Sequence, residues 1–428
     1  MMNDAQVKVL ILGGRPIASV DIVRYVQSLG GYAIVCDYLP VAQSPAKQLA
    51  DEVWDYSTSD AEKIVEKARS HGVDAVFTGV HDFNIFMCCE VAGRLGLPFY
   101  ATPEQLHVTT NKKNYKELFK KYMIPVVPDF QVELESVEHD AQKIKYPVLV
   151  KPADGSGGYG ISVCDKPSEF SEIYKKAAQF SKNHEVLVEE FVQDSEVTIF
   201  YVIQNGEFML SAMADRHVSR GEERIAALPT LYEFPSKHLA LYQKTLHQRV
   251  CHLFHELGLM NGVVFVQSFI RNDEFMFYDM GFRLTGTQEY HLLEHICHFN
   301  PLKMMVDHAM GRGAKIERIA PLVDPWLNNQ KAAILTFLAR PARIGRYVGL
   351  SAVEQMHGVV KVIKNYEVGD VIESGSIGTL NQVVLRVLAT ASTESALNSL
   401  MQYVTAKIQV LDEHGASMLL PTFKLRKT

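Results

Sequence analysis

Lys151 leaves an apolar run, residues 147–150, and enters a loop that holds four glycines in the six residues 155–160. Glycines at that density let successive backbone N–H groups turn toward one point, a nest that suits a phosphate. A lysine beside the nest adds a point charge. The loop is not a P-loop, because no Gly-Lys-Ser/Thr follows and no helix is signalled after it. Further on, Glu189 and Glu190 lie near the end of an apolar run over 186–192, and Glu196 begins the next. Carboxylates so placed serve a metal, serve as an acid/base pair, or simply meet solvent at a strand end. Gln267 and Asp279 sit on two runs, 262–269 and 274–279, that fold as a hairpin across Asn272-Asp273. They share the parity of the polar positions, so both can point into one cleft. Arg283 follows on the exit turn, where a guanidinium can clamp a phosphate or carboxylate. Arg216 and His217, with Ser219 and Arg220, make an electropositive candidate for a substrate carboxylate, against a solvated loop as the plainer reading.

The elements that must position these residues follow from periodicity. Residues 7–12 are nearly all apolar, as in a parallel strand buried on both faces. Gly13-Gly14 turns the chain into a helical pattern ending near Gly30-Gly31, residues 32–36 form a second strand ending at Asp37, and 75–78 form a third. This βαβαβ run reads as a doubly wound nucleotide-fold domain. Gly13 to Ala18 lacks the GxGxxG spacing, so dinucleotide binding is disfavoured and Asp37 reads as a strand-end carboxylate. The turns at 13–15 and 80–82 are expected to line a crevice. Asn111-Lys112 opens a helix that runs to Tyr122, and Ile124-Pro125 breaks it. Residues 170–180 form another helix. Residues 321–330 read as a linker, followed by short strands at 333–338, 359–364 and 382–388 and a helix over 392–407.

At 428 residues the chain is long enough for two to four domains, and 47% apolar and 21% charged residues are ordinary for a globular protein. A net charge of −6 carries no basic footprint for nucleic acid. Six scattered cysteines without CxxC argue against a metal cage or a disulfide framework. Neither a signal peptide nor an apolar run of membrane-spanning length is present, so the expectation is a cytoplasmic protein that does not engage a membrane.

In order along the chain, these pieces resemble the ATP-grasp superfamily, which includes biotin carboxylase, carbamoyl-phosphate synthetase, D-alanine–D-alanine ligase and the L-amino-acid ligases. The resemblance implies an α/β and α+β chain: an N-terminal Rossmann-like domain over 1–105, and an ATP-grasp domain over 106–320. Within the latter a lid spans about 125–192 and a central lobe about 193–320, and a small β-rich C-terminal domain covers 321–428. It implies that Lys112 and Lys151 reach ATP phosphates, and that the loop with Ser156, Gly157 and Gly158 closes over the triphosphate. Glu189, with the backbone of Glu190 and Val192, would meet adenine, and Glu196 would bind the ribose hydroxyls. Gln267 and Asp279 fall where the family holds magnesium, with manganese as a substitute, and Arg283 where its arginine faces the reacting phosphoryl group. Three departures stand out: Gln267 in place of a glutamate, the shorter Asp279, and Gly281 in place of an asparagine. A neutral amide is a weaker oxygen ligand for a hard cation than a carboxylate.

A competing site is spelled by His291 to His295, the HxxEH order of some zinc proteases, with His298 on the same helical face. It directly follows Arg283, in a segment that an ATP-grasp core requires, so satisfied helix histidines are expected instead. The activity implied is an ATP-dependent carboxylate–amine ligase that acts on small molecules through an acyl phosphate, with room for a homodimer. The alternatives are an ATP-binding protein with weak or lost turnover, and a carboxylase-type enzyme using bicarbonate or formate.

Overall fold

The computed structural model describes residues 6–155, 158–219, 228–312 and 317–421. Ser156, Gly157 and Arg220 lie outside the described residues. The chain begins with four parallel strands in the spatial order Glu52–Trp54, Tyr32–Cys36, Lys8–Leu12, Ala75–Phe77. Val9, Leu10, Ile11 and Leu12 have no exposed surface, because helices cover both faces of the sheet. The edge strand Glu52–Trp54 is too short for periodicity to reveal it.

The two strand-end turns have different fates. A Cβ on Gly14 would lie 2.2 Å from Ser44 Oγ and 2.8 Å from a carboxylate oxygen of Asp37. Gly14 N–H donates to that carboxylate at 2.7 Å, and Lys47 pairs with Asp37 at 3.2 Å. The first turn is therefore filled by protein, which corrects the expectation that it lines a crevice. Asp37 is a structural strand-end carboxylate. The second turn does line the central cavity, through His81 and Asp82.

Thr102 and Gln105 form a capping box that starts the helix Pro103–Thr110, which periodicity did not reveal. Asn111 then caps Lys112–Lys121 by accepting from the N–H groups of Lys113 and Asn114, so Lys112 is fixed at a helix start. A small sheet follows, ordered Asp129–Phe130, Val186–Glu190, Val148–Pro152, Ser162–Cys164, with the helix Pro167–Gln179 packed on it.

The largest sheet has eight strands, in the order Glu274–Gly281, Gly262–Arg271, Ser195–Gln204, Glu207–Ser219, Leu228–Phe234, Lys331–Leu338, Val383–Ala391, Val359–Lys364. Three strands from beyond residue 321 thus extend the sheet that carries Glu196, Gln267 and Asp279. The helix Tyr290–Cys297, which follows Arg283, packs against the strands Val359–Lys364 and Val383–Ala391. The sheet therefore curls around that helix and toward the cavity. No helix among the described residues is long and apolar enough to cross a membrane.

Candidate functional site

A cavity of about 670 Å³ lies between the small sheet and the large one. Lys112, Lys151, Gly158, Glu189, Glu190, Val192, Glu196, Arg216, Gln267, Asp279 and Arg283 all line it. Residues more than 170 positions apart thus meet around one space.

The lysines are set by their elements. Lys112, at the first turn of its helix, donates from Nζ to the Gly155 carbonyl at 2.6 Å, and its own N–H donates to Ala153 at 2.8 Å. The helix is thereby tied to the base of the glycine loop. Burial pushes the Lys112 ammonium down from its ordinary pKa, while Asp279 works the other way. Lys151, one residue before the end of its strand, pairs with Glu189 at 2.5 Å, and its Nζ also donates to the Tyr278 carbonyl at 3.3 Å.

Glu189 is where the structure departs most from expectation. Its second oxygen pairs with Lys116 at 2.5 Å, so the buried carboxylate is held between two lysines. The side chain expected against adenine thus braces Lys151 while still lining the cavity, beside Glu190 and Val192. Lys116 lies one helical turn after Lys112. A lysine on an amphipathic helix reads as solvated, which is why the sequence did not reveal it.

Gln267 and Asp279 are direct partners across the hairpin. The amide nitrogen of Gln267 donates to Thr198 Oγ1 at 3.2 Å, on the neighbouring strand, which leaves its oxygen as the free donor atom. The Asp279 carboxylate makes no hydrogen bond or ion pair to a described residue. The Gln267 amide oxygen and the Asp279 carboxylate are the two oxygen groups of this pair that would face a cation in the cavity. Arg283 is gripped by Asp82 from the N-terminal sheet's turn, through Nε to Oδ1 and through Nη2 to Oδ2 at 3.2 Å. Its guanidinium also lies over the Phe265 ring, 5.0 Å from the centroid. Burial opposes ionisation of Asp82, but Arg283 outweighs it and holds the carboxyl below its ordinary range.

Of the proposed substrate cations, Arg216 lines the cavity but is committed to Glu196, its direct cross-strand neighbour, which also accepts from Tyr278 Oη at 3.0 Å. His217 is a correction. Adjacent residues on a strand face opposite ways, and His217 pairs with Glu233 at 2.5 Å rather than lining the cavity. Two of the three HxxEH residues are likewise committed elsewhere: His291 to Asp21 at 3.0 Å, and Glu294 to Lys303 and to Asn300 at 2.9 Å.

Residues 111–312 match the family described as carbamoyl-phosphate synthase L chain, ATP binding domain. This stretch is an ATP-grasp domain. Among curated proteins, the formate-dependent phosphoribosylglycinamide formyltransferase of Synechococcus sp. (strain WH7803) is 28% identical over 235 residues, which are 53% of this chain and 59% of that protein. The carbamoyl phosphate synthase large chain, C-terminal section, of Methanocaldococcus jannaschii is 26% identical over 228 residues, 49% of this chain and 37% of that one. The chain spans little more than half the length of the first curated relatives it matches. Among solved structures, the biotin carboxylase domain of Hydrogenobacter thermophilus 2-oxoglutarate carboxylase superposes with a TM-score of 0.77 at 17% identity, covering 97% of this chain and 92% of that one. The L-amino acid ligase of Bacillus licheniformis gives 0.75 at 13% identity, covering 96% and 100%. These similarities show that the fold is ATP-grasp along nearly the whole chain.

Proposed function

We propose that the protein is an ATP-dependent ligase joining a small-molecule carboxylate to an amine, with release of ADP and phosphate. The observation that carries this reading is the gathering of Lys112, Lys151, Asp279 and Arg283 around one cavity beside a glycine-rich loop. That set neutralises and aligns a triphosphate and offers no Ser-His-Asp or Cys-His nucleophile, which suits phosphoryl transfer to a substrate oxygen. The carboxylate oxygen attacks the γ-phosphorus, the bond to the bridging oxygen breaks, and ADP leaves. The amine then attacks the acyl carbon and phosphate departs with the bonding pair as the nitrogen loses a proton.

In this reading Lys112, Lys151 and the loop, including Ser156, Gly157 and Gly158, hold the phosphates. Glu190 and Val192 meet adenine through their backbone, Glu196 meets the ribose, and Arg283 meets the transferred group. Gln267 and Asp279 would hold magnesium or manganese, which supplies charge neutralisation at the phosphoryl oxygens. The chain divides as 1–105, 106–320 and 321–428, with the last part completing the substrate wall. A cytoplasmic setting suits a nucleotide-consuming enzyme. The Hydrogenobacter biotin carboxylase domain crystallised as a dimer in complex with MgADP, and a homodimer is the assembly we propose here.

One observation favours a second reading. With Gln267 neutral and Gly281 lacking any side chain, a single carboxylate remains for the metal, which suits nucleotide binding with weak or lost turnover. Screening carboxylates and amines in pairs, bicarbonate and formate included, for release of ADP separates the two. A pair-dependent burst of ADP supports the ligase, and nucleotide binding without any such release supports the alternative.

A further inference from the structure

Arg386 lies on the strand Val383–Ala391, is 6% exposed and lines the cavity. Its guanidinium makes no hydrogen bond or ion pair to a described residue, and its Nε is enclosed without a partner. Among the described residues, the other two arginines lining the cavity each have a carboxylate: Arg216 has Glu196 and Arg283 has Asp82. Thr336, directly paired with Arg386 across the sheet, is also buried with its hydroxyl unbonded. Two adjacent, unsatisfied polar groups on neighbouring strands, one of them lining the cavity, are far from the norm for a protein interior.

A guanidinium does not escape burial by losing its proton, and a buried charge without a partner is costly to keep. Tyr232 and then Glu289 lend some compensation, but Tyr232 is a phenol that is neutral at ordinary pH, burial pushes the Glu289 carboxyl above its ordinary range, and the Thr285 and Thr287 hydroxyls already donate to that carboxyl. It is a poor counter-ion. Asp279 sits on the strand at one edge of the eight-stranded sheet, and Arg386 on the strand beside the other edge. Both nevertheless face one cavity, because the sheet curls around the helix that follows Arg283.

We propose that Arg386 anchors an oxyanion, a carboxylate or a phosphate, at the end of a substrate remote from the group activated beside Asp279 and Arg283. The substrate class is therefore bifunctional: one end reacts and the other stays anionic. This rests on the ligase reading for which end reacts, while the anion site itself does not depend on turnover.

The test compares the parent with Arg386→Met, a neutral side chain of similar reach, by thermal unfolding. Without additions the variant should be as stable as the parent or more so, since an uncompensated charge is gone. With a non-hydrolysable ATP analogue and magnesium filling the lysine site, succinate and inorganic phosphate are then added separately. One of them should raise the parent's Tm and leave the variant's unchanged, and which one does so identifies the oxyanion. A variant that unfolds several degrees lower, equal responses in both proteins, or no response in the parent would each overturn the anchor. If a reacting pair has been found, the variant's KM for the anionic partner should rise about 10- to 100-fold with kcat nearly kept, and an unchanged KM overturns the proposal with the ligase intact. Loss of the anion response in a protein that releases no ADP with any pair would instead leave the anchor standing and remove the ligase reading.

Discussion

The ring of Phe265 fills the space that a side chain at Gly281 would need: a Cβ there would lie 2.4 Å from a ring carbon. The two residues are paired across the hairpin that carries Gln267 and Asp279, and the same ring lies under the Arg283 guanidinium. Packing thus closes position 281, where the resemblance implies an asparagine, to a larger side chain, and the aromatic that does so also lies against the arginine. Gly281→Asn alone should overpack this corner and cost about 1–3 kcal/mol in denaturant unfolding. Adding Phe265→Ala should recover part of the loss, and a Gly281→Asn protein as stable as the parent would contradict the steric account.

The Lys116–Glu189–Lys151 arrangement alters what a change at Lys151 should do. A cation at the rim of a cleft contributes little to stability, but Lys151 is buried and shares a buried carboxylate. Lys151→Ala should weaken ATP binding and also lower stability by roughly 3 kcal/mol, toward the lower end of the cost of orphaning a buried charge, because Lys116 remains. Adding Glu189→Gln should restore neither stability nor affinity, because it leaves the buried Lys116 with only Asp129, at 3.7 Å. Calorimetry and unfolding on the single and double variants check both halves.

The Asp82–Arg283 clamp makes a pH prediction. The Asp82 carboxyl is held below its ordinary value, so its contribution is full above the unfolded value near 3.9 and is lost as pH falls toward the folded pKa. Tm should therefore drop between about pH 5 and pH 3 more steeply in the parent than in Asp82→Asn. Parallel acid limbs in the two proteins would show that the clamp contributes nothing measurable.

What the sequence reveals of this site and what it conceals divide along physical lines. The strands Lys8–Leu12 and Tyr32–Cys36, the hairpin and the Asn111 cap are written in local patterns, so they can be read one segment at a time. Glu189 looks like a free strand-end carboxylate because the lysine that takes its second oxygen is 73 positions away. Arg283 looks unattached because Asp82 comes from another sheet. Arg386 is one charge in an otherwise apolar strand, and only the curl of the eight-stranded sheet turns it into a wall of the cavity. His217 misleads in the opposite sense, since its neighbour Arg216 faces the cavity and strand alternation sends the histidine away.

The altered metal pair predicts that binding and turnover separate. Asp279→Asn removes the one carboxylate in the pair, which should cost several kcal/mol of transition-state stabilisation on the general scale of metal-ion catalysis. Nucleotide should still bind through Lys112 and Lys151. Gln267→Glu should be tolerated and should tighten the magnesium dependence of ADP release. Full substrate-dependent ADP release by Asp279→Asn would show that this carboxylate is not the metal ligand.

The central claim is that a carboxylate oxygen takes the γ-phosphoryl group. With a reacting pair from the ADP-release screen, the carboxylate is supplied with ¹⁸O in both oxygens and the released phosphate is analysed by mass spectrometry. An acyl phosphate requires one labelled oxygen in each phosphate formed. Phosphate released without label alongside amide product, or nucleotide binding with no ADP released from any pair, would contradict the account.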